Sequence, residues 1–216
     1  MTMAPYVPPA VSSMPSAPDY LILDVDGVLI GGFPHTRWDA NIESDLGIRP
    51  KVLQRKFFQK HWQGIMRGHE PIEPALTEFL DTYYPGISLN TFLAYWHGND
   101  AAVAQHVLEA ASDWKSRTGN QLALATNQEQ TRARYISEEL GFSEVFETLI
   151  VSCNIGFAKP EPEYYAQGDL LLGRTPGQTA LFLDDTLDHV EAAIEHGWQA
   201  MHVESVDHAA EIIRSL

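Results

Sequence analysis

The chain has 216 residues, enough for one α/β core plus a small second lobe. Its net charge of −15 argues against a nucleic-acid partner, which demands a basic surface, and no apolar run is long enough to cross a bilayer. A single cysteine, Cys153, excludes an internal disulfide framework and fits a reducing cytosol, so a cytoplasmic protein is expected.

In chain order, residues 1–18 are rich in Pro, Ser and Ala, without the basic start and apolar stretch of a secretory signal. They read as a disordered tail. A short apolar strand follows at 20–25. Four more are expected at 121–126, 148–152, 179–183 and 199–203, all nearly continuous apolar runs of the kind buried on both faces of a parallel sheet. Helical segments at about 129–140, 161–172 and 186–196 separate the last four, and a final one spans about 206–215. That alternation predicts βαβ units and a doubly wound, Rossmann-like parallel sheet. Roughly 95 residues separate the first strand from the second, far more than one crossover needs. They read as helices at about 37–46, 50–63, 73–84, 89–97 and 100–117, punctuated by Gly and Pro. The expected organisation is a core of 19–32 and 118–216, with 33–117 inserted as a helical cap. Between Arg37 and Arg67 this insert carries seven Lys or Arg against three Asp or Glu, a local basic island. It reads either as a solvated helix face or as a lobe that attracts anions.

In open parallel sheets the ligand site lies beyond the carboxyl ends of the strands. The strand ends here deliver Asp24 and Asp26, then Thr126 and Asn127, then Lys159 before Pro160, and last Asp184 and Asp185. Taken singly each has a bland reading: turn residue, helix cap or surface lysine. Their coincidence at one edge favours chemistry. Asp24 and Asp26 are two residues apart, which on an extended strand puts both on one face. Carboxylates so clustered call for a hard cation on oxygen ligands, Mg²⁺ rather than zinc. Phosphoryl transfer needs such a set: a cation to offset charge, a lysine and backbone N–H groups for the phosphate oxygens, a carboxylate nucleophile, and a second acid for the leaving group. Cys153, at the end of the run Thr148-Leu-Ile-Val-Ser-Cys153, reads as a packed thiol rather than a nucleophile.

The pattern resembles the haloacid dehalogenase-like (HAD) superfamily, phosphatase branch. Asp24-Val-Asp-Gly-Val-Leu29 looks like its first motif, Thr126 like its second, Ala158-Lys-Pro-Glu-Pro-Glu-Tyr164 like its third, and Phe182-Leu-Asp-Asp-Thr-Leu-Asp-His-Val-Glu-Ala-Ala193 like its fourth. The resemblance implies Asp24 as nucleophile and Mg²⁺ ligand. It implies Asp26 as acid/base, with its carbonyl on the metal, and Thr126, Asn127 and Lys159 around the phosphoryl group. Asp185 would be the direct metal ligand, with Asp184 direct or through water. Residues 27–33 would be a mobile element at the site. Many relatives carry Asn or Asp where this chain has His189, and the simpler reading lets His189 face the loop. The segment Trp62-Gln-Gly-Ile-Met-Arg-Gly68 is similar to that of small sugar-phosphate phosphatases and of the phosphatase domain of bifunctional epoxide hydrolases. Arg37, Trp38, His61, Trp62 and Arg67 are candidates for substrate contact, against the plainer reading of core tryptophans and a helix-end charge.

The resulting expectation is a Mg²⁺-dependent hydrolase of small-molecule phosphate monoesters, acting through an aspartyl-phosphate. No nucleic-acid or membrane partner is expected, and the sequence leaves the oligomeric state open. A phosphoryl transferase or mutase with the same intermediate is the alternative. A non-catalytic binding protein on the same fold is a third reading, disfavoured because every motif residue stands.

Overall fold

The computed structural model describes residues 17–31 and 37–216. Most of the tail expected over 1–18, and residues 32 and 33 of the expected mobile element, lie outside the described residues.

The strands are β1 (Tyr20–Leu23), β2 (Gln121–Thr126), β3 (Thr148–Val151), β4 (Ala180–Asp184) and β5 (Gln199–His202). They form one sheet in the order β3-β2-β1-β4-β5, every pair parallel. Period-two alternation sorts their side chains into two layers. Leu21, Leu23, Leu122, Leu124, Leu181 and Leu183 face one side. Tyr20, Ile22, Ala123, Ala125, Ala180 and Phe182 face the other. Each fully buried aliphatic or aromatic side chain contributes roughly 1.5–3 kcal/mol before ordering entropy is counted. β5 differs from expectation. As an edge strand it leaves Gln199, Met201 and His202 exposed.

The helices are α1 (Ile42–Leu46), α2 (Pro50–Leu53), α3 (Gln59–Met66), α4 (Ile72–Tyr83), α5 (Leu89–Asn99), α6 (Gln105–Thr118), α7 (Gln130–Arg134), α8 (Ser152–Ile155), α9 (Pro162–Leu172), α10 (Leu187–His196) and α11 (Val206–Ser215). Two π-helical segments interrupt the regular pattern: Gln54–Phe58 joins α2 to α3, and Tyr135–Glu139 extends α7. Capping follows local chemistry. The Ser88 hydroxyl accepts a bond from the Thr91 N–H at the start of α5, and Gly119, in the left-handed region at φ 72°, ends α6.

α1 to α5 close over an apolar core of their own, with Phe57, Leu76, Phe79, Phe92 and Trp96 at its centre. The helix expected as the last piece of the cap does not join them. α6 packs on α11, and its Val107, Ala111 and Trp114 lie in the sheet's own apolar layer. The excursion from the sheet therefore ends at residues 100–104, where Ile30 pairs with Val103 and the Ala104 N–H bonds the Leu29 carbonyl. Among the described residues no helix is long and apolar enough to cross a membrane.

Candidate active site

Strand register sets the site. Leu23 of β1 pairs with Leu124 of β2 and Leu183 of β4, so the next residues along, Asp24, Ala125 and Asp184, emerge side by side. The Asp24 N–H bonds the Leu183 carbonyl at 2.9 Å, which fixes this alignment. Lys159 enters from the loop before α9. Its Nζ donates to Asp184 Oδ2 at 2.6 Å and to the Ala125 carbonyl at 2.8 Å, and lies 3.0 Å from Asp24 Oδ1. Its side chain is fully buried.

A buried ammonium between two carboxylates keeps its charge. Burial opposes ionisation of Lys159, but Asp24 and Asp184 outweigh it and raise its pKa. Burial also works against the Asp184 carboxylate, yet Lys159 and His189 hold it well below the ordinary range. Asp24 goes the other way. Burial pushes its carboxyl up, Lys159 opposes this, and the charges on Asp184 and Asp26 add to the rise. The acids at this edge thus exceed what one lysine offsets, a condition that a bound cation relieves.

The other expected residues fall around this pair. Thr126 is buried at the end of β2, with Oγ1 3.3 Å from Gln128 Nε2. Asn127 has both ends of its amide engaged by Lys159. Its Nδ2 donates to the Lys159 carbonyl at 2.9 Å, and its Oδ1 accepts from the Lys159 N–H at 2.8 Å. These bonds make Asn127 a brace for the Lys159 loop, a role not foreseen for it. Asp185 is exposed and lies over Gly27, so close that a Cβ at Gly27 would run into its carboxylate. Partial desolvation and the charge on Asp184 raise its pKa.

His189 does not face the loop. Its Nδ1 is 3.1 Å from both Asp184 oxygens. Asp24, Asp184 and His189 each offer a donor atom within 4.8 Å of the others. With Asp185 at the rim, the donor set is dominated by carboxylate oxygen and fits a hard divalent cation. Asp184, expected to be secondary to Asp185 as a ligand, sits in the tighter cluster, but it is already bonded by Lys159, His189 and the Thr186 N–H.

Asp26 has partners that sequence reasoning missed. Arg132 Nη2 lies 2.8 Å from its Oδ1, and Gln128 Nε2 donates to its Oδ2 at 2.6 Å. Arg132 is buried and also bridges to Asp100, 3.1 Å away, where the chain leaves the helical lobe. Asp26, Gln128 and Arg132 form the sheet side of a cleft of about 300 Å³ whose other wall is Trp38, Phe58 and Trp62.

Of the substrate-contact candidates, Arg37, Trp38 and Trp62 line this cleft. His61 instead pairs with Glu70 and Arg67 with Glu161, a cross-link from the lobe to the start of α9. Lys51, Arg55, Lys56 and Lys60 of the basic island are exposed and are not among the residues lining the cleft.

The family model of haloacid dehalogenase-like hydrolases matches residues 18–197. The chain belongs to that family. Solved HAD-family structures share its fold. One is the enzyme bt-2542 from Bacteroides thetaiotaomicron, in complex with magnesium and inorganic phosphate. It is 18% identical, with a TM-score of 0.71 over 86% of this chain and 94% of that one. Another is the HAD hydrolase YfnB from Bacillus subtilis bound to magnesium, at 16% identity and TM-score 0.59 over 92% and 99%. A third is L-2-haloacid dehalogenase from Xanthobacter autotrophicus with chloropropionic acid covalently bound, at 16% identity and TM-score 0.58 over 86% and 77%. No curated protein matches the sequence.

Proposed function

We propose that this HAD-family hydrolase is a magnesium-dependent phosphatase of small-molecule phosphate monoesters, working in the cytoplasm, with sugar phosphates among its candidate substrates. The observation that carries this reading is the pairing of two carboxylates with different surroundings. Asp24 is buried against Lys159, and Asp26 turns to the cleft under Gln128 and Arg132.

In this mechanism an Asp24 oxygen attacks phosphorus and the ester P–O bond breaks, leaving an aspartyl-phosphate. Asp26 gives its proton to the departing alkoxide, then takes one from the water that hydrolyses the intermediate. Thr126 and Lys159 hold the non-bridging oxygens, and Asn127 keeps Lys159 in place. Magnesium, held by Asp24, the Asp26 carbonyl, Asp185 and Asp184, would supply charge neutralisation between the phosphate and the anionic nucleophile.

The neighbour carrying chloropropionic acid keeps carbon–halogen cleavage in view as a second reading. Asp26 weighs against it. Halide departs as an anion and needs no proton, whereas an alkoxide leaving group does. Hydrolysis of p-nitrophenyl phosphate with Mg²⁺, with EDTA and with Asp24→Asn tests the proposal. Activity that requires Mg²⁺ and vanishes in the variant supports it, and turnover that survives both treatments overturns it.

A further inference from the structure

The cleft is unequally furnished, and its lobe wall points to the shape of the leaving group. Trp38, Phe58 and Trp62 are each half-buried, rooted in the lobe core on one side and open to the cleft on the other. Trp38 stacks on Trp96 with centroids 5.0 Å apart and planes at 23°. Trp62 meets Phe58 edge-on at 5.3 Å and lies 5.8 Å from Trp96. These mutual contacts fix the rings in orientation, so the wall is a preformed apolar face rather than a set of mobile side chains. Phe58 and Gln54 both reach the cleft from the π-helical segment that joins α2 to α3.

The charges are already matched. Arg37 holds Asp39 through two bonds of 2.9 Å, and Arg132 holds Asp26 and Asp100. Among the described residues lining the cleft, Arg37 and Arg132 are therefore both engaged by carboxylates, and with Asp26 and Asp100 also in the lining a second anion on the substrate would meet cations whose charge is already offset. The volume, about 300 Å³, is at the lower end of ligand pockets and suits one ring.

On the phosphatase reading above, we infer that the leaving group is a single uncharged ring with a flat apolar face, laid against Trp62 and Trp38. An aryl ring offers such a face through its π cloud, and a pyranose through its axial C–H groups.

The test uses the full chain with Mg²⁺ and three non-hydrolysable phosphonates, read by calorimetry and by indole fluorescence. Benzylphosphonate should bind at least about tenfold tighter than propylphosphonate, which lacks the ring, and than phosphonoacetate, which adds an anion. In parallel, kcat/KM for glucose 6-phosphate is compared with that for glycerol 3-phosphate, whose leaving alcohol is of similar acidity. A ring preference among phosphonates with none between these two esters assigns the aryl source, and a preference for the glucose ester assigns the sugar. Trp62→Ala should narrow whichever gap is found to under about threefold, and Trp62→Phe should restore most of it. Equal binding of all three phosphonates together with equal kcat/KM for the two esters, tighter binding of phosphonoacetate, or a gap untouched by Trp62→Ala overturns the inference. If no ester is turned over, the phosphatase reading fails separately, and the phosphonate series still reports on the ring.

Discussion

Arg132 and Asp26, 106 positions apart in the chain, meet in an ion pair of 2.8 Å on the sheet side of the cleft. The arginine is rigidly seated. It is buried, with further bonds to the Asp100 carbonyl at 3.1 Å and to Gln128 Oε1 at 3.2 Å. It thus ties the proposed acid/base to the point where the helical lobe returns to the sheet. Arg132→Lys keeps the charge but loses the planar fork, so Asp26 should be held less well. The expected result is a fall in kcat of about 10- to 100-fold with KM changed much less, because proton transfer and not ground-state binding is lost. Steady-state kinetics on one good ester measures this split.

Gly27 is the tightest backbone position at the site. Its φ of 78° is costly for any other residue, and a Cβ there meets the Asp185 carboxylate. Gly27→Ala should displace Asp185, with a stability cost on the order of 1 kcal/mol. Titration calorimetry should show Mg²⁺ binding weakened by about tenfold or more, while the thermal melt stays cooperative.

Lys159 is the counter-charge for two buried acids. Lys159→Met leaves Asp24 and Asp184 facing each other without it, and breaking a buried pair in this way costs about 3–5 kcal/mol. Urea denaturation in EDTA should show that loss, and turnover should be abolished.

Glu129 gives a prediction on the acid side. Burial alone would raise its pKa, but the His97 ring 3.6 Å away and bonds from Thr131 and the Arg132 N–H hold it below the ordinary value. A carboxyl lowered on folding stabilises fully above its unfolded pKa, near 4.3, and that contribution disappears as pH falls through the folded value. Glu129→Gln should therefore destabilise the protein by about 1–3 kcal/mol at pH 7 and flatten the loss of stability below pH ~4. Denaturation curves between pH 3 and 7 check this.

Cys153 should be sluggish. Burial first, and then the nearby Glu129 charge, push its thiol up to about 11. The thiolate is the reactive form, so labelling by a disulfide reagent should keep rising about tenfold per pH unit through pH 10. An ordinary thiol would level off near pH 8.5–9.

The sheet was readable because β1, β2 and β4 are central strands with apolar side chains on both faces, an unambiguous pattern. The same logic made the strand-end residues legible, since topology alone brings Asp24, Thr126, Lys159 and Asp184 to one edge. β5 misled because an edge strand with Ala200 and Met201 has an apolar run without the burial. The placement of α6 was hidden for a different reason. Helical periodicity shows that Val107, Ala111 and Trp114 share an apolar side but not which layer receives it. Arg132 and Gln128 carried no signal, because their partner Asp26 is distant in sequence and reached only once β1 and β2 pair. His189 was visible as a departure from the family pattern, but its bond to Asp184 depends on how α10 begins.

In the proposed mechanism Asp24 becomes phosphorylated during turnover, and direct trapping tests this. The enzyme is mixed with a turned-over phosphate ester and Mg²⁺, quenched in acid within one turnover, treated with borohydride and digested for peptide mass spectrometry. An acyl phosphate is reduced to an alcohol whereas a free carboxylate is not, so the peptide containing residue 24 should be recovered with the Asp24 carboxyl reduced. Ester hydrolysis at full rate with that peptide unmodified, or with the reduced carboxyl at Asp26 or Asp185 instead, would contradict it.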